Sequence, residues 1–424
     1  MPLAAFSPSP VYGRGVGVRA REPSPSGRHP RPPPQPAPVS SRQTGAPMPA
    51  QPRAANTGEG AVLSLRALNR ALLQRQGLLE RTGASPVAMI EQLGGLQAQA
   101  PNPPYLGLWS RLRDFRPERL TELMQQRQVV RATMMRGTLH LVSAADYLAW
   151  RATLTPMLQR LFLHSDQGKA VKHMDLQALS LSGLELLSAQ ALNATALGAA
   201  LQGRWPQGDA SAMARWVRGV AALVHVPPAG VWDSHQQACF APAAQWLGQS
   251  LAEADAADAM VLRYLAAFGP ASVRDIATWS GLQGVRAIVQ RLRPQLRGYR
   301  GPDGEELFDL ADRTLPDADT PAPARLVADF DNLLLAHADR TRVLDARHKD
   351  AVFTRNGIVR ATVLLDGFVR GTWSLQREPG ATSVTIAPFA ALKKPERAAL
   401  AAEAEHCLAT FAPGVTHEIR IESA

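Results

Sequence analysis

The stretch ASVRDIATWSGLQGVRAIVQRLRPQLRGYRGPDGEELFDL, residues 271–310, carries the clearest fold signal in this chain. Ser272 is a typical N-cap residue for a short helix, and a glycine turn separates that helix from a second one at 283–293. Strand-like runs at 296–300 and 306–310 then flank a Gly-Pro-Asp-Gly turn. A helix-turn-helix followed by a hairpin is typical of a winged helix. If this unit binds DNA, its second helix would enter the major groove and its hairpin would lie on the backbone; the alternative is a structural winged helix that contacts only protein.

The first 58 residues differ in composition from the rest of the chain. They contain 14 of the 34 prolines and seven arginines, and they lack apolar periodicity. Such a segment cannot bury enough apolar surface to offset its ordering entropy, so we expect a disordered tail at 1–58. Met48 is an alternative start of translation. The remaining sequence divides into four predicted units, which are 59–174, 175–252, 253–315 and 316–424.

The first unit also shows helices followed by a hairpin. Ser85 is a predicted N-cap, and Pro117 begins a further predicted helix at 117–126. Two runs rich in β-branched residues, 129–133 and 138–142, flank a short turn and predict the hairpin. Ser143 then begins a capping box for the next helix. We therefore interpret 59–174 as a winged-helix unit.

The second unit has a weaker pattern. Helices are predicted around 184–191, from Asn193 onward, and over 211–224, where Trp216, Val220 and Leu223 share one face. We interpret it as a degenerate winged helix.

The last unit has the pattern of a small β-sheet with a covering helix at 393–410. Asp366-Gly367 is a favourable hairpin turn. The predicted strands are 325–329, 358–366, 368–375 and 382–386. The predicted fold class is therefore α+β, with tandem winged-helix units followed by a small C-terminal β-rich domain.

Composition and charge limit the function. The formal net charge of +10 favours a polyanionic partner, without distinguishing DNA from RNA or an anionic membrane. No uncharged apolar run reaches about 18 residues, so we expect no membrane span. The two cysteines, Cys239 and Cys407, are far apart and fit no metal-ligand spacing. We expect no disulfide, metal or cofactor, and a cytoplasmic protein that associates with the nucleoid when it is bound to DNA.

Three segments together resemble the AlkZ/YcaQ-like family of winged-helix bacterial DNA glycosylases. They are LGGLQAQ at 93–99, MRGTLHLV at 135–142 and FDNLLLAHADRTR at 330–342. The resemblance covers roughly residues 61–412. It implies three tandem winged helices and a C-terminal β-domain that clasp duplex DNA, and removal of alkylated purines, including bases in interstrand crosslinks. The implied partner is double-stranded DNA, preferably alkylated. Because no long coiled-coil repeat occurs, we expect a monomer.

The resemblance also implies a catalytic motif, Gln-apolar-Gln in one branch of the family and Gln-x-Asp in another. Gln97-Ala98-Gln99 matches the first branch. In an extended segment, side chains at i and i+2 point the same way, so the two amide oxygens could hold a water molecule against the sugar. Glutamine is not a base near neutral pH, so its contribution would be positional and electrostatic. The alternative is that Gln97 and Gln99 only cap or pad a helix end.

Further residues are candidates for DNA contact. Thr138 and His140 share one strand face, although a lone histidine in a strand is more often structural. The charged segment 329–342 is as compatible with an internal ion-pair network as with DNA. The residues predicted to contact DNA are Arg131, Arg136, Thr138, His140, Arg286, Arg291, Arg340 and Arg342.

Three hypotheses for the function follow. The first is a monofunctional DNA glycosylase for N7-alkylated purines, with Gln97 and Gln99 as the catalytic pair. The second is a non-catalytic winged-helix DNA-binding protein or regulator. The third is an RNA or protein interaction module, which would be favoured if the winged helix at 253–315 buried its recognition face.

Overall fold

The computed structural model describes residues 60–378 and 380–424, so the predicted tail at 1–58 lies outside the described residues. Up to residue 143 the first unit contains four α-helices and three strands, which are α1 (Leu65–Arg75), α2 (Pro86–Gln92), β1 (Leu96–Gln97), α3 (Pro103–Trp109), α4 (Pro117–Gln125), β2 (Val129–Thr133) and β3 (Leu139–Ser143). The predicted N-cap is confirmed, since the Ser85 hydroxyl accepts from the Ala88 amide at 3.2 Å. The predicted hairpin is β2 and β3. Helix α3 was not predicted, because its two initial prolines suggest a break.

Two helices lead into the second unit, α5 (Ala144–Leu163) and α6 (Asp166–Val171). The predicted capping box is only half formed. The Ser143 hydroxyl accepts from the Asp146 amide at 3.1 Å, but the Asp146 carboxylate pairs with Arg263. The second unit consists of α7 (Leu176–Ala189), β4 (Leu192–Asn193), α8 (Ala194–Arg204), α9 (Ala210–Val220), β5 (Leu223–Val226), β6 (Cys239–Pro242) and α10 (Ala243–Leu247).

The predicted helix at 211–224 was wrong at its C-terminal end. Helix α9 ends at Val220, and Leu223 and Val224 belong to strand β5. Ala221 has an extended backbone, and His225 then pairs with Arg131 of β2. Sheet pairing with another unit therefore overrides the helical spacing of the apolar residues.

The third unit has the elements that its sequence predicts. They are α11 (Ala257–Phe268), α12 (Val273–Ser280), α13 (Val285–Leu292), β7 (Leu296–Arg300) and β8 (Glu306–Leu310). Ser272 and Asp275 form a reciprocal capping box at the start of α12. Gly281 ends this helix with a left-handed φ of 72°.

One order of elements occurs in all three units: helix, strand, helix, helix, strand, strand. In the third unit an isolated bridge between Ala271 and Phe308 takes the place of the first strand. The first two units share a six-stranded sheet in the order β1-β3-β2-β5-β6-β4, joined through β2 and β5. This is the element order of a winged helix, and that assignment stays a prediction.

The C-terminal part is a five-stranded sheet with a long helix packed on it. Its elements are β9 (Arg325–Val327), α14 (Lys349–Val352), β10 (Thr362–Leu365), β11 (Phe368–Glu378), β12 (Ala381–Pro388), α15 (Lys394–Phe411) and β13 (Thr416–Ile421). The sheet order is β13-β12-β11-β10-β9, and β13 pairs parallel to β12. Strand β13 was not predicted. The predicted hairpin turn is confirmed, with positive φ at Asp366 and Gly367.

Buried ion pairs join the units. Arg111, just after α3, forms a two-point contact with the Asp331 carboxylate at 2.9 and 2.9 Å, and both side chains are almost fully buried. Arg75 of α1 binds Asp309 of β8 in the same manner at 2.8 and 2.6 Å. None of the helices within 60–378 and 380–424 is long and apolar enough to cross a membrane.

Removing one partner of the Arg111–Asp331 pair leaves an uncompensated buried charge. We therefore expect Asp331→Ala to lower the free energy of unfolding by about 3–5 kcal/mol, as measured by urea denaturation. The double variant Arg111→Met/Asp331→Leu should lose much less, because both charges are removed together. The exposed pair Arg119–Glu122, at 3.4 Å, is the control. Glu122→Ala should cost less than about 1 kcal/mol, and an equal cost for both single variants would contradict this account.

Candidate active site

The Gln97-Ala98-Gln99 segment lies at the edge of the shared six-stranded sheet. Strand β1 pairs with β3, where Gln97 is opposite His140, and the Ala98 amide donates to the Leu139 carbonyl at 2.7 Å. Gln97 is buried, with 7% of its surface exposed, whereas Gln99 is exposed. The segment therefore offers one fixed amide and one amide at the surface.

The Gln97 side chain is held by Arg136. One Arg136 amino group, Nη2, donates to Gln97 Oε1 at 2.8 Å and to Asn332 Oδ1 at 3.1 Å. The other, Nη1, donates to the Trp279 carbonyl at 3.1 Å. Because arginine can only donate, it fixes which way the Gln97 amide points. One lone pair of Gln97 Oε1 is occupied, and among the described residues nothing else bonds to its side chain, so the second lone pair and the NH₂ group remain available to a ligand.

A strained turn brings Arg136 into this position. Arg136 lies in the 3₁₀ turn Met135–Gly137 between β2 and β3 with a left-handed φ of 58°, which an arginine adopts only at a cost. Gly137, with φ 70°, continues the turn. Burial lowers the pKa of Arg136 to about 10, so it stays charged at neutral pH.

His140 completes this cluster as a neutral imidazole. It is fully buried, and its burial together with the charge of Arg136 lowers its pKa to about 3. Its Nδ1 lies 3.1 Å from the Thr138 carbonyl, which can only accept, so Nδ1 carries the proton. The Nε2 lone pair faces Arg136 at 3.4 Å. His140 thus supports Arg136 rather than reaching outward.

Arg131 fixes the backbone of the same segment. Its guanidinium donates to the Ala98 carbonyl at 2.9 Å and, more weakly, to the Gln99 carbonyl at 3.4 Å. Its third contact is with His225 Nδ1 at 3.0 Å. Burial, with a smaller contribution from Arg218, lowers the pKa of Arg131 to about 10. Arg131 is therefore a positioning residue for the Gln97–Gln99 segment.

Asn332 and Asp331 belong to the site, although neither is among the residues that the sequence predicts to act in catalysis or to contact DNA. The Asn332 amide donates to the Gly95 carbonyl at 3.1 Å while its oxygen accepts from Arg136. Asp331 caps the 3₁₀ helix Asn332–Leu334 and is held by Arg111. The one sequence feature that pointed to these two residues was their place in 330–342, one of the three segments that resemble the glycosylase family.

The other predicted DNA contacts are distributed differently. The half-buried Thr138 donates to the Met135 carbonyl. Arg340 donates to the Leu334 carbonyl and stacks on Phe353, and the buried Arg342 donates to the Pro270 carbonyl, so both have internal partners. Arg286 and Arg291 are exposed on α13, and Arg291 pairs with Asp258. The structure thus brings Arg131, Arg136 and His140 together with the Gln97–Gln99 segment, and leaves Arg286 and Arg291 exposed on α13.

Comparisons with known proteins agree on one family. The model of the AlkZ-like DNA glycosylase family matches residues 90–410. The "Interstrand DNA cross-link repair glycosylase" of Streptomyces sahachiroi is 26% identical over 361 residues, which span 79% of this chain and 93% of that protein. The solved structure of Streptomyces sahachiroi DNA glycosylase AlkZ matches with a TM-score of 0.71 at 22% identity, over 85% of this chain and 100% of the other. This structural likeness supports the fold.

The neutral state of His140 predicts a dependence of stability on pH. Between about pH 6.5 and pH 3 the unfolded chain binds a proton at this residue and the folded chain does not, so acid favours unfolding. We expect His140 to contribute about 1.4 kcal/mol per pH unit to the fall in unfolding free energy below pH 6. Urea unfolding of the wild type and His140→Gln from pH 7.5 to 4.5 measures it. The variant should have the shallower slope, and parallel curves would show that His140 already titrates in the folded state.

Proposed function

The chain belongs to the AlkZ-like DNA glycosylase family, and from this premise we propose that it hydrolyses the N-glycosidic bond of N7-alkylated purines in duplex DNA. The catalytic residues of this proposal are Gln97 and Gln99, which position the attacking water. The observation that carries this proposal is the hydrogen bond from Arg136 Nη2 to Gln97 Oε1, at 2.8 Å, which fixes the Gln97 amide. Both residues lie within 90–410, the region that the family model matches. As a member of this family the chain is an enzyme.

The chemistry of the substrate suits a pair of amides. A purine alkylated at N7 carries a positive charge, so its bond to the sugar is already weakened and the base needs little acid catalysis to leave. The remaining task is to hold water against a sugar that becomes cationic. Positioned neutral acceptors can do this without a Brønsted base.

The contacts of Gln97 define how the water would be held. Because Arg136 occupies one lone pair of Gln97 Oε1, water would donate to the second lone pair. The Gln99 amide, which is exposed, would accept the other hydrogen. The water oxygen then directs a lone pair toward the sugar carbon. The hydrogen bond of Arg131 to the Ala98 carbonyl keeps the spacing between the two amides fixed.

Duplex DNA is the proposed partner, bound by a monomer. The exposed Arg286 on α13 would contact DNA if the third unit binds as a winged helix. Arg291 is less available, because it pairs with Asp258. Interstrand crosslinks are included among the proposed substrates, since the similar Streptomyces sahachiroi protein is named for their repair.

The catalytic pair is tested by substitution. Gln97→Ala and Gln99→Ala should each slow single-turnover release of N7-methylguanine from duplex DNA about 10²-fold, because a positioned group is lost. Gln99→Asp should stay active, because a carboxylate can also accept from water. DNA affinity should change little, since neither glutamine is charged. Gln74→Ala, which removes an exposed amide on α1, is the matched control and should behave like the wild type.

Two results would contradict this proposal. If both alanine variants release the base at the wild-type rate, the two glutamines are structural. If the wild type binds duplex DNA but releases no alkylated base, the chain acts as a non-catalytic DNA-binding protein.

A further inference from the structure

A cavity of about 490 Å³, with Asn102 in its wall, has no role in the chemistry above. This volume is in the range of about 300–1,000 Å³ that small-molecule sites occupy. Its walls come from the first unit, from the loop before β6 and from the C-terminal sheet. The lining residues that matter here are Asn102, Asp233, Asp329, Trp373 and Arg377.

Chain connections place this cavity beside the motif. Asn102 is three residues beyond Gln99, which is at most about 11 Å along the chain. On another wall, Gly230 lies so close to Arg131 that a Cβ atom there would be 2.8 Å from Arg131 Cδ, and the chain then reaches Asp233. Asp233 accepts from the Asn102 amide at 2.8 Å. Two short connections, through Asn102 and through Gly230, therefore link the cavity wall to the segment that Arg131 holds.

Asp329 gives the cavity its charge. One of its oxygens accepts from the Ala361 amide at 2.9 Å, and within the described part of the chain no arginine, lysine or histidine forms a salt bridge with it. Asp233 and Arg377, the other charged lining residues, pair with each other. Burial raises the pKa of Asp329, as expected for a carboxylate without a counter-ion. A cation bound here would offset the free-energy cost of burying the charged Asp329 carboxylate.

Another lining residue, Trp373, gives the cavity a surface that suits a flat ring. Trp373 is buried, and its indole N–H donates to the Val327 carbonyl at 2.9 Å, which fixes the ring in the cavity wall. A tryptophan face attracts cations as well as flat apolar groups. A planar, positively charged ligand would satisfy both Asp329 and Trp373.

The backbone between the cavity and the Arg136 cluster is strained. Phe330 has a left-handed φ of 56°, which is a genuine outlier for a bulky residue. This conformation lets Asp329 line the cavity while Asp331 and Asn332, directly after it, contact Arg111 and Arg136. Strain of this kind persists where the surrounding contacts hold it, often at ligand sites.

We propose that this cavity binds the displaced, positively charged alkylpurine, with the Asp329 carboxylate facing its charge and Trp373 facing its ring. This inference rests on the proposed glycosylase function. It makes Asp329 a specificity residue, which favours cationic over neutral bases and takes no part in activating water.

The test compares a charged base with its neutral isostere. Duplex DNA containing 2′-fluoroarabino N7-methylguanine, which resists hydrolysis, is compared with duplex containing 7-methyl-7-deazaguanine. The wild type should bind the charged lesion about tenfold more tightly, the order expected when one partly solvated carboxylate faces one positive charge. Asp329→Asn should abolish this preference, keep its contact with the Ala361 amide and bind undamaged duplex as the wild type does. Glu405→Gln, which removes an exposed carboxylate on α15, should keep the preference.

Two outcomes would overturn the proposal: a wild type without preference for the charged lesion, or Asp329→Asn with the preference intact. Release of N7-methylguanine from ordinary DNA is measured separately, which distinguishes the two claims. If the wild type releases N7-methylguanine but Asp329→Asn keeps the preference for the charged lesion, only the proposal for the cavity is refuted. A charge preference that depends on Asp329, without any release, supports the cavity and refutes the glycosylase.

Discussion

The buried guanidinium of Arg136 is the contact on which the site depends. Its acceptors are Gln97 in β1, His140 in β3, the Trp279 carbonyl in α12 and Asn332 in the C-terminal part. All four are neutral, so this cation is stabilised only when the first unit, the third unit and the C-terminal part are assembled around it. The orientation of Gln97 thus depends on hydrogen bonds that join three parts of the chain.

The repeated order of elements explains why only the first unit carries the motif. In the second unit the strand corresponding to β1 is β4, which ends in Asn193. Asn193 is the N-cap of α8, and its side chain accepts from the Ala196 amide at 2.9 Å. In the first unit the next helix begins only at Pro103, so Gln97 has no capping role and its amide is available to Arg136. The longer connection after β1 leaves the Gln97 amide without a capping role.

Local signals in the sequence predicted much of the fold and part of the site. The cap at Ser85, the β2–β3 hairpin and the helices of the third unit depend on neighbouring residues, and they form as predicted. The end of α9 and the strand β13 depend on sheet partners that are distant in sequence. The burial of Arg342 and the contact of Arg136 with Asn332, 196 residues away, also depend on tertiary packing. Residue spacing carries no information about such contacts.

The central claim is that the chain itself hydrolyses the bond to a cationic purine. It is tested most directly by incubating the purified protein with duplex DNA containing N7-methylguanine in the presence of borohydride, with mass spectrometry of both products. Free N7-methylguanine and an abasic strand without attached protein are the predicted result, because water is the nucleophile. A matched duplex containing uracil should release nothing. A protein–DNA adduct trapped by borohydride, or no free base at all, would contradict the account.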